Sequence, residues 1–414
     1  MKNNTIQKNI PDGWWQVKIR DVAYINKKTL GNNTSDEYAF KYVDLSAVNK
    51  GLVSIPTGFV NYKNAPSRAR RIIEIGDVLM ATVRPNLFGH CFVDFDTKNI
   101  ICSTGFAVIQ GKRDLLETRF VYHYLFSDKL NNDLNNLLVG SNYPAVNSAE
   151  VGNLDFSLPS IAEQRRIVTI LDTSDLIIEK LSKKIQIKKN IKKGLMQNLL
   201  TGDARLVGFT DKWQTIKLND LGKTYAGIIG KDKDDFGSGK PFITYMNIYS
   251  SSIINPARCG FVKINDGENQ NKAKFGDIFF TTSSETPDEV GTSSVLLDKN
   301  VSDLYLNSFC FGFRLNNFKT LTPEFSQFYF RGQKFRKQMV RIAQGASRYN
   351  LSKKYFLDTS IKIPSDTKEQ NAIADILRIT GKEIKALEKK LSIIKNQKKY
   401  LLNNLITGTI RTKA

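Results

Sequence analysis

The chain has 414 residues, 61 Lys plus Arg against 40 Asp plus Glu, a formal net charge of +21 and 41% hydrophobic residues. This length excludes one small module, the hydrophobic content excludes a disordered chain, and the charge points to a polyanionic partner, nucleic acid or an anionic membrane surface. Four cysteines without a CxxC pair and only two histidines exclude a zinc ribbon or finger.

The opening stretch MKNNTIQKNIPDGWW has a cationic start but no apolar core. No later segment approaches the roughly 18 uninterrupted apolar residues of a membrane span. A cytoplasmic protein with reduced, mostly buried thiols and no membrane partner is expected. Past Trp14, short apolar runs alternate with Gly, Pro and Asn, and strands are expected at residues 40–45, 77–81, 90–95 and 105–109. A helix is expected from Thr118 to about Leu138.

Two basic or polar loops stand out in this stretch. The first carries Lys63, Arg68, Arg70 and Arg71, then Arg84-Pro85-Asn86 directly after the strand that begins at Gly76-Asp77. The second is Gly140-Ser141-Asn142-Tyr143-Pro144-Ala145-Val146. Arg, Asn and Ser can read base edges, whereas Lys mostly meets phosphate. For any single residue a solvated surface cation fits as well, and for the second loop a tight structural turn fits as well.

Pro159-Ser160 followed by Glu163 has the spacing of a capping box, and Gly202 has the place of a helix stop. Stepping by four and three between them gives Ile167, Leu171, Ser174, Ile178, Leu181, Ile185, Lys188, Lys192, Leu195 and Leu199, a coiled-coil seam interrupted by Ser174 and two lysines. Roughly 37 helical residues would extend about 55 Å.

The chain then starts again. Trp213 to Leu221 (WQTIKLNDL) answers Trp14 to Val22 (WWQVKIRDV), and Gly276-Asp277-Ile278-Phe279 answers Gly76-Asp77-Val78-Leu79. Glu369-Gln370 answers Glu163-Gln164, and Leu405-Ile406-Thr407-Gly408 answers Leu199-Leu200-Thr201-Gly202. A period of about 200 residues is far too long for a solenoid repeat and large enough for a domain. In the second copy strands are expected at residues 242–248, 277–281, 293–297 and 309–315, with a helix over 323–343. Its candidate contacts are Lys240 and Arg258, then Ser283 and Ser284 after the Gly-Asp strand, then Ser347, Arg348 and Tyr349 before the second long helix. That helix has the seam Ile373, Leu377, Thr380, Ile384, Leu387, Leu391, Ile394, Lys398, Leu401 and Leu405, whose breaks at Thr380 and Lys398 match Ser174 and Lys192. Long lysines can lay their stems along a seam and keep the ammonium in water.

The fold class is α+β: two similar mixed domains, residues 1–158 and 207–363, separated by a long antiparallel two-helix coiled coil built from residues 159–206 and 364–414. The paired helices would act as a ruler longer than one turn of B-DNA, about 34 to 36 Å.

With the duplicated order, the Gly-Asp strand, the Pro-x-x-x-Glu-Gln helix start and the Leu-Thr-Gly helix end in hand, the chain resembles the specificity subunit of type I restriction-modification systems along essentially its whole length. The resemblance implies two target recognition domains, each reading one half of a bipartite site in double-stranded DNA, and repeated helices that pair as a coiled coil. It also implies partners: two modification subunits that bind S-adenosylmethionine and methylate adenine, and restriction subunits that hydrolyse ATP and cut DNA. By the same resemblance Glu163, Gln164, Glu369 and Gln370 belong to the repeated helix starts, and the helices offer surfaces to the modification subunits. The chain itself has no NPPY-like methylation motif and no G-x-x-x-x-G-K-[ST] loop. A nonenzymatic subunit without metal or cofactor is the expectation; the alternative is a structural DNA-bridging coiled-coil protein with no sequence preference.

Overall fold

The computed structural model describes residues 10–137, 145–345 and 347–412. The chain forms two compact units, one of residues 1–182 with 389–414 and one of residues 183–388. Both boundaries fall inside the long helices, so each unit contains parts of both. Among the described residues no helix is long and apolar enough to cross a membrane.

The two units share a plan. In the first, a four-stranded sheet runs in the order Ala23–Ile25, Phe106–Gly111, Val78–Ala81, Cys91–Phe92; in the second the order is Gly222–Ala226, Cys310–Leu315, Ile278–Thr281, Ser293–Val295. Every neighbouring pair in them is antiparallel. The strand after each Gly-Asp pair is central and buried throughout. Its side chains alternate between two cores, as the pleat requires. Val78 and Met80 face the core that holds Phe120 and Phe156, while Leu79 and Ala81 face the one with Val43 and Ile100. Ile278 and Phe280 likewise join Phe313 and Phe356, and Phe279 joins Ile243 and Leu306.

A second sheet, of four strands in the first unit and three in the second, covers the other core. In the first unit Ala39–Val43 pairs in parallel with Ile100–Ser103, and in the second Phe236–Ile243 pairs in parallel with Tyr305–Leu306. Each copy is closed by an antiparallel pair joining its beginning to its end, Trp15–Lys18 with Asp155–Leu158 and Gln214–Lys217 with Ser360–Ile363. This is the structural meaning of the repeated WWQVK and WQTIK: an edge strand that ties the entry of the domain to the residues just before its long helix.

Three expected elements differ from the structure. The helix expected over 118–138 is two, Thr118–Tyr124 and Asp128–Leu137, because Ser127 turns the chain: its Oγ donates to the Tyr124 carbonyl and accepts from the Leu130 N–H. The helix expected over 323–343 divides into Pro323–Tyr329 and Gln333–Ile342, the second starting from Gly332 as its N-cap. The strand expected over 242–248 ends at Ile243, where Thr244 Oγ1 accepts from the Asn247 N–H and starts the helix Tyr245–Ser250. In each case a local side-chain or glycine cap overrode the apolar pattern.

The central helix runs Ile161–Leu199 and the C-terminal helix Thr367–Ile406. All twenty expected seam positions are buried or half-buried, while Leu176, Ile177, Ile187, Ile191, Ile379 and Ile393 off the seam are exposed. Burial therefore follows the heptad and not hydrophobicity alone. Within the first unit Lys398 Nζ bonds Asp175 across the helix pair, and within the second Lys188 and Lys189 reach Glu383 and Glu388 at 2.9 and 2.7 Å.

Candidate nucleic-acid interface

The two candidate loops of each copy, some sixty residues apart in sequence, lie side by side in the fold. In the first unit Val83, just after the Gly-Asp strand, bridges Ala145, and the Val146 N–H donates to the Thr82 carbonyl at 2.8 Å. In the second unit Ser283 and Ser284 pair with Asn350 and Tyr349, and the Leu351 N–H donates to the Thr282 carbonyl at 2.8 Å. Each unit thus presents one composite edge at the end of its most buried strand. The second builds a three-stranded ribbon there from Ser283–Ser284, Tyr349–Leu351 and Ala343–Gln344. Gly345 at φ +129° makes the turn of that ribbon possible, since a Cβ would fall 2.0 Å from the Arg348 carbonyl oxygen.

The candidate side chains differ in exposure and in their surroundings. Arg84 is exposed at the edge, on a left-handed residue (φ 48°) that leads into the turn Pro85–Leu87. Ser347 and Arg348 are exposed at the tip of the ribbon, and Tyr349 is half-buried in its strand. Arg68 and Arg258 are exposed on other loops. Ser141, Asn142 and Tyr143 lie outside the described residues.

Other candidates are paired within their own unit or partly buried. Lys63 is paired with Glu37 and Lys240 with Asp303. Arg70 stacks on Tyr62 at 4.5 Å and donates to the Ala69 carbonyl. Arg71 is half-buried with its Nε unpartnered, and burial lowers its pKa. Asn86 has a buried, unpartnered Oδ1. Ser284 is buried, donating to Glu289 at 2.6 Å, while Glu289 also accepts from the Tyr249 hydroxyl at 3.0 Å. Ser283 is half-buried beside it.

The four residues of the repeated helix starts, expected to bind partner subunits, are buried within the chain. Gln164 and Gln370 are fully buried and make matching bonds. Gln164 accepts from the Glu117 N–H and donates to the Leu115 and Pro159 carbonyls; Gln370 accepts from the Thr322 N–H and donates to the Thr320 and Pro364 carbonyls. Glu163 does not complete the expected capping box. Ser160 Oγ accepts from the Glu163 N–H at 3.4 Å, but the Glu163 carboxylate takes both Nε and Nη2 of Arg411 at 2.8 and 2.9 Å. Glu369 takes Arg205 in the same way, at 2.6 and 2.8 Å. The two arginines follow the helix stops at matching places, Thr201-Gly202-x-x-Arg205 and Thr407-Gly408-x-x-Arg411. Each also lies over a tryptophan, Arg205 over Trp213 and Arg411 over Trp14. In each unit the end of one long helix is clasped to the start of the other. The repeated T-G-x-x-R was the sequence signal for this clasp, and it was missed.

Sequence reasoning did not single out the cations of the helix Gln333–Ile342, where Lys334, Arg336, Lys337 and Arg341 answer Lys129, Asn131, Asn132 and Asn136 of Asp128–Leu137. No candidate nucleophile emerges from the thiols, because burial raises the pKa of Cys91 and of Cys310 to about 12. His90 is lowered to about 4 by burial and accepts the Ala81 N–H on Nδ1. Among the described residues one group, His123, Asp172 and Asp175, has the composition of a metal site. Its carboxylates are already held by Arg119 and Lys398, which makes it a charge clamp between the domain and its helices.

The type I restriction modification DNA specificity domain model matches the chain twice, over residues 11–189 and 210–396. The specificity subunit of the type I restriction enzyme MjaVIII from Methanocaldococcus jannaschii is 24% identical, with 98% of this chain and 94% of that protein aligned. The HsdS subunit from Thermoanaerobacter tengcongensis superposes with a TM-score of 0.57 at 24% identity, covering 97% of this chain and 98% of that one. A chain solved for the complex assembly and conformational transition of the type I R-M system gives 0.61 at 23%, covering 97% and 99%. The composite edge recurs twice because the whole unit recurs twice, and the chain belongs to the type I restriction modification DNA specificity domain family with two copies of that domain.

Proposed function

We propose that each unit reads one half of a bipartite target in double-stranded DNA, and that this chain directs adenine methylation or cleavage carried out by two modification subunits and by restriction subunits. The chain is a DNA sequence-recognition subunit with two recognition domains, and the chemistry belongs to its partners. The observation that carries the reading is the composite edge, formed in the same place in both units with different exposed side chains: Arg84 in one, Ser347 and Arg348 in the other. Equal scaffolds with unequal tips are what two half-sites of unequal sequence require. In this reading residues 1–158 and 207–363 are the readers, the paired helices set the spacer between half-sites, and the complex acts in the cytoplasm.

Methylome sequencing of cells expressing the chain with its modification partner tests this. Methyladenine at one split motif is expected. Methylation spread over unrelated sequences, with binding equally strong to random duplex and steeply salt-dependent, would favour the non-specific bridging protein.

A further inference from the structure

A cavity of about 650 Å³ lies wholly within the second unit, between residues 183–199 of the central helix and 367–388 of the C-terminal helix. Five cations line it, Lys189, Lys192, Lys193, Lys385 and Arg331, against one carboxylate, Glu388, which is already bonded to Lys189. Arg331 Nε donates to the Ser293 carbonyl and Nη2 to those of Ile248, Tyr249 and Ser251, neutral acceptors that leave its charge uncompensated. Among the described residues no carboxylate pairs with Lys192, Lys193 or Lys385. Burial, and then the Lys385 ammonium, lower the pKa of Lys192.

The duplication supplies an internal comparison. In the first unit Lys398 answers Lys192 and Lys399 answers Lys193, and both have acids: Asp175 for the first, and for the second Asp128 at 3.4 Å, which also accepts from Asn403. In the second unit Gly381 stands in place of Asp175, Gln333 in place of Asp128, Lys385 in place of Glu179 and Arg331 in place of Phe126. These four differences move the surroundings toward positive charge, and Glu388, in place of Ser182, returns one negative charge that Lys189 already takes. Gly381 also opens the space, since a Cβ there would come 3.0 Å from Lys192 Nζ, although glycine inside a helix is destabilising. A merely solvated lysine face has no reason to lose its acids just where a cavity opens.

The donor type narrows the ligand. Ammonium groups act as point charges suited to phosphate, whereas planar carboxylates are best held by a free arginine fork, and the Nε–Nη2 edge of the one arginine here is taken by carbonyls. We propose that this cavity binds a multiply charged phosphate group, from a free nucleotide or polyphosphate or from a DNA backbone.

Calorimetric titration of the purified full chain with inorganic tripolyphosphate, with ATP and with a short random-sequence duplex tests the proposal and separates the sources. Gly381→Asp and Lys385→Glu restore the acids of the first copy at surface-accessible positions, and each should weaken binding at least about tenfold, the effect of one lost charged contact. Lys395→Gln, an exposed lysine of the first unit, should leave it unchanged. Weakened tripolyphosphate and ATP binding identifies a free phosphate ligand; weakened duplex binding alone identifies the DNA backbone. If wild-type levels persist for all three probes in both variants, with helix content unchanged by circular dichroism, the site does not exist. The half-site reading is scored separately by the methylated motif, so that outcome would leave it standing.

Discussion

Asp77 and Asp277 occupy the same place in the two copies and meet different surroundings. Each accepts a backbone N–H that closes the turn before its strand, from Glu74 and Lys274 respectively, both at 2.8 Å. Asp277 is then completed by Arg314 on both oxygens, at 2.9 and 2.6 Å, and by the Tyr225 hydroxyl at 2.7 Å. Asp77 has no such partners: its Oδ1 is buried without a bond, and burial raises its pKa. Asp277→Asn should therefore cost roughly 2–3 kcal/mol, because it removes charge-assisted bonds and leaves a guanidinium behind. Asp77→Asn should lie within about 0.5 kcal/mol of wild type or stabilise, since it removes a poorly compensated charge. Urea denaturation of both variants measures the contrast, and equal losses would contradict it.

At the scale of the element, the long helices depend on their clasps as much as on their seams. Glu369 is fully buried, and Arg205 is what compensates it, so Arg205→Met should cost roughly 2–3 kcal/mol in the same denaturation assay. Arg411→Met offers a test by pH. The Arg411 bonds hold the pKa of Glu163 below the usual carboxylate range. A depressed pKa gives stability that is present above the unfolded value of about 4.3 and lost as pH falls through the folded one. The gap between wild type and Arg411→Met should consequently be widest near neutral pH and close in acid. A gap independent of pH would mean that Arg411 acts through its contact with Trp14 and not through Glu163.

For the whole molecule, the unit and the repeat do not coincide. Each repeat is one continuous stretch, but each compact unit takes parts of both long helices. In the first unit the core that holds Trp14 and Phe120 is completed by Leu402, Leu405 and Ile406 from the other copy's helix. In the second, Leu199 and Leu200 do the same beside Ile373 and Leu377. Exchanging residues 1–158 for those of a relative should change one half of the methylated motif and leave the other intact. A motif unchanged in both halves would overturn the two-reader assignment, while failure to fold would show that the graft no longer fits Leu402 and Leu405.

Much of this was legible in the linear chain, because it depends on periodicity and local chemistry. The duplication, the alternation within the Gly-Asp strands and the seam registers need only side-chain spacing, which the backbone geometry of helices and strands translates directly into faces. Local caps at Ser127, Gly332 and Thr244 limited that reading, since one hydroxyl or one glycine ends an element that the apolar pattern would continue. The candidate site was legible as two loops per copy. Its unity was not, because the pairing of Val83 with Ala145 and of Ser284 with Tyr349 closes sixty or so residues of chain through tertiary hydrogen bonds. Nor could charge alone sort the cations: Lys63 and Lys240 look in sequence like Arg68 and Arg258, and only the folded positions of Glu37 and Asp303 engage the first pair. By itself the sequence determined what repeats and which faces are apolar. The tertiary structure decided which charges remain uncompensated, since compensation depends on distance through space, and it did so most plainly where Gly381 replaced Asp175 and left Lys192 without its acid.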